Sequence, residues 1–324
     1  MNQQKGAKIM KPYLYILALF LLIPGVCFSQ SMVYSLAIDR TKDGSVYTST
    51  YCGGMWKADE GLASWSAQNN GLNVPLPIAF HTILCAAIAP SNGSIMYCGN
   101  TEGYVYRSNN RGDTWFDTGL NLHKMIRGLA IDPTNPDHVY AASELGLYEQ
   151  KKDIGWKTVL PEEYGIFEDV AFDLFDSKTI YTVTQNFKGT GSIQISHDSG
   201  VTWAETKLSY GIVRIGLDPV HEGTLYLATR GSILKTTDYG INWEFLNTGL
   251  PKALVTAIAI DPMDAQIVYA GTMDGLYVSG DGGTNFANTD LVEGMVTNLA
   301  FSRGEDSLFI GTARYALIKQ ELSE

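Results

Sequence analysis

The sequence predicts an all-β fold, a seven-bladed β-propeller of four-stranded blades whose last blade has three strands. Three observations carry this. One phrase recurs seven times: an apolar strand ending in Asp, a turn, a second strand with Tyr, a glycine turn and a third strand. The closing position of the first strand falls at Asp39, Ala89, Asp132, Asp173, Asp218, Asp261 and Ser302, with gaps of 50, 43, 41, 45, 43 and 41 residues. That pitch suits blades of four short strands. The content also alternates with period two, is rich in Val, Ile, Thr and Tyr, and holds 33 glycines, which excludes helical repeats of similar length.

The chain's first thirty residues stand apart from the repeat. Lys5, Lys8 and Lys11 are followed by an apolar run from Tyr13 to Val26 and then by Cys27-Phe28-Ser29-Gln30. This is the pattern of a signal peptide over residues 1–29, leaving a propeller domain over 30–324. Cysteine at −3 and serine at −1 suit signal peptidase, while Val26 is too large to precede a lipidated cysteine. An uncleaved anchor is the competing reading, against which the apolar run falls short of the ~20 residues a span needs. The expectation is an exported protein, extracellular or periplasmic, with no membrane span after cleavage.

Removing the signal takes away three lysines and no acids, leaving 20 basic against 34 acidic residues, a net charge of about −14. Such a balance argues against a nucleic-acid partner. Cys52, Cys85 and Cys98 remain, an odd count that completes no disulfide framework. Cys85 and Cys98 fall on neighbouring strands, where either one bridge or two buried thiols is expected. Asn92-Gly93-Ser94 matches a glycosylation sequon, but Asn-Gly is also what a tight turn demands. No Cys or His set has metal-ligand spacing, so neither a metal nor a cofactor is expected.

The blades follow in order, and most add a second phrase after their third strand. Blade one carries Asp59, Gly61, Ser64 and Trp65 with one residue inserted. Blade two has Ser108, Asn110, Gly112, Thr114 and Trp115; blade three keeps only Asp153, Gly155 and Trp156. Blade four holds the full Ser196-x-Asp198-x-Gly200-x-Thr202-Trp203. Blade five has Thr236, Asp238, Gly240, Asn242 and Trp243; blade six has Ser279, Asp281, Gly283, Asn285 and Phe286, and shows the first phrase most clearly in 255–279. Blade seven supplies strands near Val296–Phe301, Ser307–Thr312 and Tyr315–Leu322 and no such phrase, so packing should close the ring, with Lys319 and Glu321 guarding its edge.

The second phrase has a physical reading as the hairpin turn between the two outer strands. The carboxylate accepts from turn N–H groups, glycine supplies a positive φ, and the aromatic ring inserts between blades. A part repeated in almost every blade is a fastening of the blade, not an acid or a metal ligand.

On these motifs the chain resembles the Asp-box, or BNR-repeat, propellers over essentially all of residues 32–324. The superfamily includes sialidases, xyloglucan-cleaving glycosidases, sortilin-type receptors and a photosystem II assembly factor, so the resemblance implies fold and not activity. A sialidase would imply six blades, an early Arg-Ile-Pro and a Tyr–Glu pair; here there are seven units, and Arg214-Ile215-Gly216 is the nearest approach. A xyloglucanase-like site would lie between two propellers, and one fits in this chain. A new glycosidase would need a carboxyl pair ~5.5 Å or ~6.5–9.5 Å apart. Glu162, Glu163, Glu168 and Asp169 form the only acidic cluster on an expected top loop. His81, His123, His138, His197 and His221 are scattered.

The expectation is therefore a non-catalytic binding or scaffolding module for a protein or glycan, with a sialidase or Asp-box type glycoside hydrolase as the alternative. Function should lie on the face carrying the loops that lead into the innermost strands, at 66–82, 120–127 and 160–169. Arg127, Arg214, Arg230 and Arg314 are expected to ring the channel mouth, with His123, Glu168, Tyr210 and Tyr315 beside them. Such a ring suits a carboxylate-bearing glycan or an acidic peptide, unless each arginine instead pairs with a neighbouring carboxylate.

Overall fold

The computed structural model describes residues 32–42, 44–51, 53–72, 82–314 and 317–322. They form seven antiparallel sheets, six of four strands and one of three, each with its strands side by side in sequence order. The innermost strands are Val33–Ile38, Ile83–Ile88, Ile126–Ile131, Ile166–Phe172, Ile212–Leu217, Val255–Ile260 and Val296–Phe301. Each ends one residue before the repeated Asp, Ala or Ser. In five blades that residue is Asp, and its Oδ1 accepts the N–H two positions on, from Thr41, Thr134, Phe175, Val220 and Met263, each at 2.8 Å. The aspartate therefore shapes the turn into the second strand.

Burial follows the ring. Seven apolar clusters are each shared by two neighbouring blades, including the seventh with the first. The second strands contribute the repeated ring Tyr47, Tyr97, Tyr140, Tyr181, Tyr226, Tyr269 and Phe309, all at most 3% exposed. Two of the hydroxyls reach the next blade's outer hairpin: Tyr47 donates to the Arg111 carbonyl at 3.0 Å and Tyr226 to that of Gly282 at 3.2 Å. Both acceptors precede the motif glycine.

The outer hairpins are built as the motif implies. In blade four Thr202 N–H donates to Asp198 Oδ1 at 2.8 Å, Thr202 Oγ1 to Oδ2 at 2.6 Å, and Gly200 N–H to Ser196 Oγ at 2.9 Å. Asp238 and Asp281 accept from Asn242 and Asn285 in the same way, and Asn110 accepts from Thr114 N–H. Gly200 has φ +81°, and a Cβ there would lie 2.1 Å from the Tyr140 hydroxyl of the preceding blade, so no other residue fits. In blade one Asp59 Oδ1 still accepts Ala63 N–H at 3.1 Å. The aromatic residues join the interblade clusters: Trp65, Trp115, Trp156, Trp203, Trp243 and Phe286 each pack where two blades meet. Trp115 is buried, whereas Trp203 and Trp243 are only half-buried.

Blade seven ends in Leu317–Glu321, and among the described residues no strand pairs beyond it. Phe309 and Leu317 pack against Val46, Ala58 and Leu62 of blade one. Arg303 N–H donates to Glu60 Oε1 at 2.9 Å, and Arg40 lies 3.6 Å from Glu305. Lys319 and Glu321 form a 2.9 Å ion pair on the edge strand.

The structure moves some expected bounds and decides between the two readings of the cysteines. The third strand of blade seven begins at Leu317, and Tyr315 lies outside the described residues. Cys85 and Cys98 are free thiols, the diagonal placement on paired strands (Cys85 opposite Gly99, Ala86 opposite Cys98) leaving them unbridged. Cys52 lies outside the described residues. The irregular loops are shorter than expected: Trp65–Ala67 and Phe116–Asn121 are outer strands, and Ile126 and Arg127 already belong to an inner strand. Residues 73–81 lie outside the described set. Among the described residues no helix is long and apolar enough to cross a membrane.

Candidate functional site

Every innermost strand carries a register irregularity near its start, at the second residue in six blades and at the third in blade four. The skipped positions are Tyr34, Leu84, Arg127, Glu168, Val213, Thr256 and Thr297. A bulge re-aims the side chain that it leaves unpaired. Because all seven lie at the same end of their strands, one rim of the ring is shaped by this device. The hairpins between second and third strands share that rim, since Arg127 reaches Glu144 and Glu168 is reached by Gln185. The outer hairpins sit at the other end, where Arg111 and Tyr239 donate their N–H groups to Ser94 and Gly223 in the turns after the inner strands.

At the axis, a cavity of about 130 Å³ is lined by residues of six inner strands, among them Tyr34, Cys85, Arg127, Asp169, Arg214 and Asn298. Arg127 Nη2 donates to Glu144 Oε1 at 2.8 Å and Nη1 to Glu168 Oε2 at 3.2 Å. Glu168, 4% exposed, also accepts from Gln185 Nε2. Its neighbour Asp169 accepts Val170 N–H and Ile215 N–H, each at 3.0 Å. Burial pushes the Asp169 carboxyl up, against the opposing pull of Arg214 and these two N–H groups. Burial likewise pushes the Cys85 thiol up to about 12 and Cys98 well above the ordinary thiol value.

The structure thus divides the expected site. Arg127, Glu168 and Arg214 come together at the channel, where Arg214 Nη1 donates to the Val213 carbonyl at 2.9 Å. Arg127 is spent on two carboxylates, the arrangement in which an arginine plugs the ring. Arg230 and Arg314 are exposed on the rim, and Arg230 forms no ion pair among the described residues. His123 is exposed with φ +52°. Tyr210, 41% exposed, meets Phe245 edge-on at 5.3 Å. The expected acidic cluster is split: Glu162 and Glu163 lie in a 3₁₀ turn, Glu162–Tyr164, while Glu168 and Asp169 belong to the inner strand Ile166–Phe172. A strand absorbs them because one is the bulge and the other closes on backbone N–H groups.

Sequence reasoning passed over a second polar centre, in blade three. Glu149, 1% exposed, accepts from His138 Nε2 and Tyr140 OH at 2.8 Å each and forms ion pairs with Lys151 and Lys157 Nζ at 2.7 Å each. His138 Nδ1 lies 2.9 Å from Asp132. Burial raises the Glu149 carboxyl, but hydrogen bonds from His138, the lysines and Tyr140 outweigh it and hold the group well below the carboxylate range. This network stands where blade three lacks a full outer-hairpin motif. Among the described residues no group of three His, Cys, Asp or Glu is placed to hold a metal ion.

No family model matches the chain. Over 143 residues it is 28% identical to the xyloglucanase Xgh74A of Acetivibrio thermocellus, a stretch that spans 36% of this chain and only 17% of that enzyme. Among solved structures, the GH74 xyloglucanase from Xanthomonas campestris superposes with a TM-score of 0.74 at 19% identity, covering 90% of this chain and 52% of that one. YCF48 from Cyanidioschyzon merolae superposes with a TM-score of 0.68 at 15% identity, covering 91% of this chain and 97% of its own. At these identities the structural likeness shows the seven-bladed propeller fold and leaves the subfamily unresolved.

Proposed function

We propose that this chain is an exported, non-catalytic propeller that binds or scaffolds a protein or glycan of the cell surface or exported compartment through the rim carrying the bulges. One observation supports this most. The carboxylates nearest the axis are committed internally, Glu144 and Glu168 to Arg127 and Asp169 to backbone N–H groups. None of them is left to act as a paired acid and base in the way glycoside hydrolysis needs. The exposed Arg230 and Arg314 meanwhile stand on the same rim of an acidic protein.

The second reading, a glycoside hydrolase, is favoured by the partial similarity to xyloglucanases. One experiment separates the two. The full chain is used to capture partners from the exported fraction and from a glycan panel, with reducing-sugar release followed in parallel. Capture without hydrolysis, weakened by Arg230→Ala with Arg314→Ala, supports the proposal. Capture that survives this change but fails with Val201→Asp and Ile241→Asp, on the opposite rim, moves the site there. Steady release of reducing sugar selects the hydrolase.

A further inference from the structure

A larger cleft lies away from the axis, against the outer half of blade four. Its volume is about 520 Å³, within the range of small-molecule sites, and Glu163, Tyr164, Asn186, Thr190, Glu205 and Lys207 line it. Three segments meet there: the Glu162–Tyr164 turn leading into the blade, the hairpin tip at 186–190, and the outer strand Ala204–Leu208.

The floor is fixed before any ligand arrives. Asn186 Oδ1 accepts N–H from Lys188 at 2.9 Å and Thr190 at 3.2 Å, while its Nδ2 donates to Thr190 Oγ1 at 2.7 Å. Gly191 sits so close to the Thr184 carbonyl that a Cβ would lie 2.0 Å from it. The hairpin is therefore held in one shape, which reduces the ordering cost of binding.

The walls retain hydrogen-bonding capacity. Glu163 is exposed and makes no ion pair among the described residues. Glu205 meets Lys207 only at 3.8 Å, so both keep sites for a ligand. Tyr164, at the end of the 3₁₀ turn, is 38% exposed, and Phe187, at the tip of the 186–190 hairpin beside the cleft, is 98% exposed. Leu208 is the only aliphatic side chain in the lining, which leaves little for an apolar peptide. Two carboxylates against one lysine disfavour an anion.

We propose that this cleft is a binding subsite for a neutral saccharide. An aromatic ring offers its face to the C–H face of a sugar ring, and planar carboxylates accept from adjacent hydroxyls, the combination that the cleft supplies. This rests on the binding-module reading and gives it a location and a ligand class distinct from the axial arginines.

The test is calorimetric titration of the full chain with neutral gluco-, xylo-, manno- and galacto-oligosaccharides, with uronate oligosaccharides as anionic comparators. At least one neutral series should bind and the uronates should not. Tyr164→Ala should weaken binding at least tenfold and Glu205→Gln severalfold, with Met263→Ala, an exposed change on blade six, leaving it unchanged. Both cleft residues are exposed, so the variants are expected to fold, and an unchanged thermal midpoint verifies it. Neutral binding indifferent to Tyr164 and Glu205 overturns the cleft while leaving the binding module intact, as does the absence of saccharide binding when a protein partner is captured. Turnover of the saccharide overturns the non-catalytic reading instead.

Discussion

Arg127 of blade three and Glu168 of blade four occupy the same bulge position in successive inner strands and bond to each other, Nη1 to Oε2, at 3.2 Å. The carboxylate is buried and the guanidinium half-buried. Removing the cation leaves an uncompensated charge between two blades. Arg127→Ala should therefore cost roughly 3–5 kcal/mol in chemical denaturation. A Glu168→Gln partner variant should recover part of the loss. An unchanged denaturation midpoint in Arg127→Ala would show that the pair is not formed in solution.

Trp115→Ala should cost roughly 3–5 kcal/mol, because the ring is 2% exposed and its Nε1 donates to the Gln68 carbonyl at 2.9 Å. Trp203→Ala should cost less, roughly 2–3 kcal/mol, since part of that ring already meets water. The sequence alone places the two alike. Equal midpoint shifts for both variants would contradict the half-burial of Trp203.

Asp198 has its carboxyl held down at about 2, first by the Thr202 hydroxyl and then by the Thr202 N–H. A depressed carboxyl stabilises the fold above its unfolded value near ~3.9, and this stabilisation is lost as pH falls toward about 2. Denaturation midpoints of the native chain should fall more steeply between pH 4 and 2 than those of Asp198→Asn. Parallel profiles would remove the turn from the account of acid sensitivity.

Glu149 should be the most sensitive carboxylate of blade three. Glu149→Ala leaves His138, Lys151 and Lys157 without their shared acceptor, at a cost of roughly 3–5 kcal/mol. Hydrogen exchange should show the protection lost first in 138–157 and in the Phe172–Trp203 region packed on it. Uniform loss around the ring would argue against a local latch.

Cys85 and Cys98 should resist alkylation at pH 8 in the folded chain and react on unfolding, since burial pushes the Cys85 thiol to about 12 and Cys98 well above the ordinary value. Mass spectrometry of peptides spanning both should find two thiols. A bridged peptide or rapid folded-state labelling would contradict the arrangement.

The blades were legible because their signals are local. Asp261-Pro262 marks a turn, Tyr269 an interblade ring, and Gly283 before Asn285-Phe286 an outer hairpin, each within a few residues. The bulges were not, because the extra residue itself is a glycine in none of the blades and leaves no mark. The local pattern therefore reads Glu168 and Asp169 as loop, although hydrogen bonding draws them into the strand Ile166–Phe172. The blade-three network had a readable trace: His138-Val139-Tyr140 stands where blade six has Ile267-Val268-Tyr269, and Glu149 where it has Val278. A polar pair replacing an apolar pair at diagonal positions on paired strands implies a buried contact, but only alignment of blades against one another brings it out. The cleft of blade four joins three segments separated by intervening strands, which no pattern within a few residues encodes.

The sharing of each apolar cluster between two blades has a thermodynamic consequence. An open solenoid can shed its last repeat and expose one interface, but a closed ring that loses any blade exposes two. Fraying is thereby penalised at every blade, and unfolding should proceed as one cooperative event instead of blade by blade. The seam between the seventh and first blades is the place where this cooperativity is thinnest. There Phe309 stands in the tyrosine row with no hydroxyl to offer, and the last sheet is one strand narrower than the rest. Seven repeats of one design thus behave as a single folding unit with a built-in direction of opening.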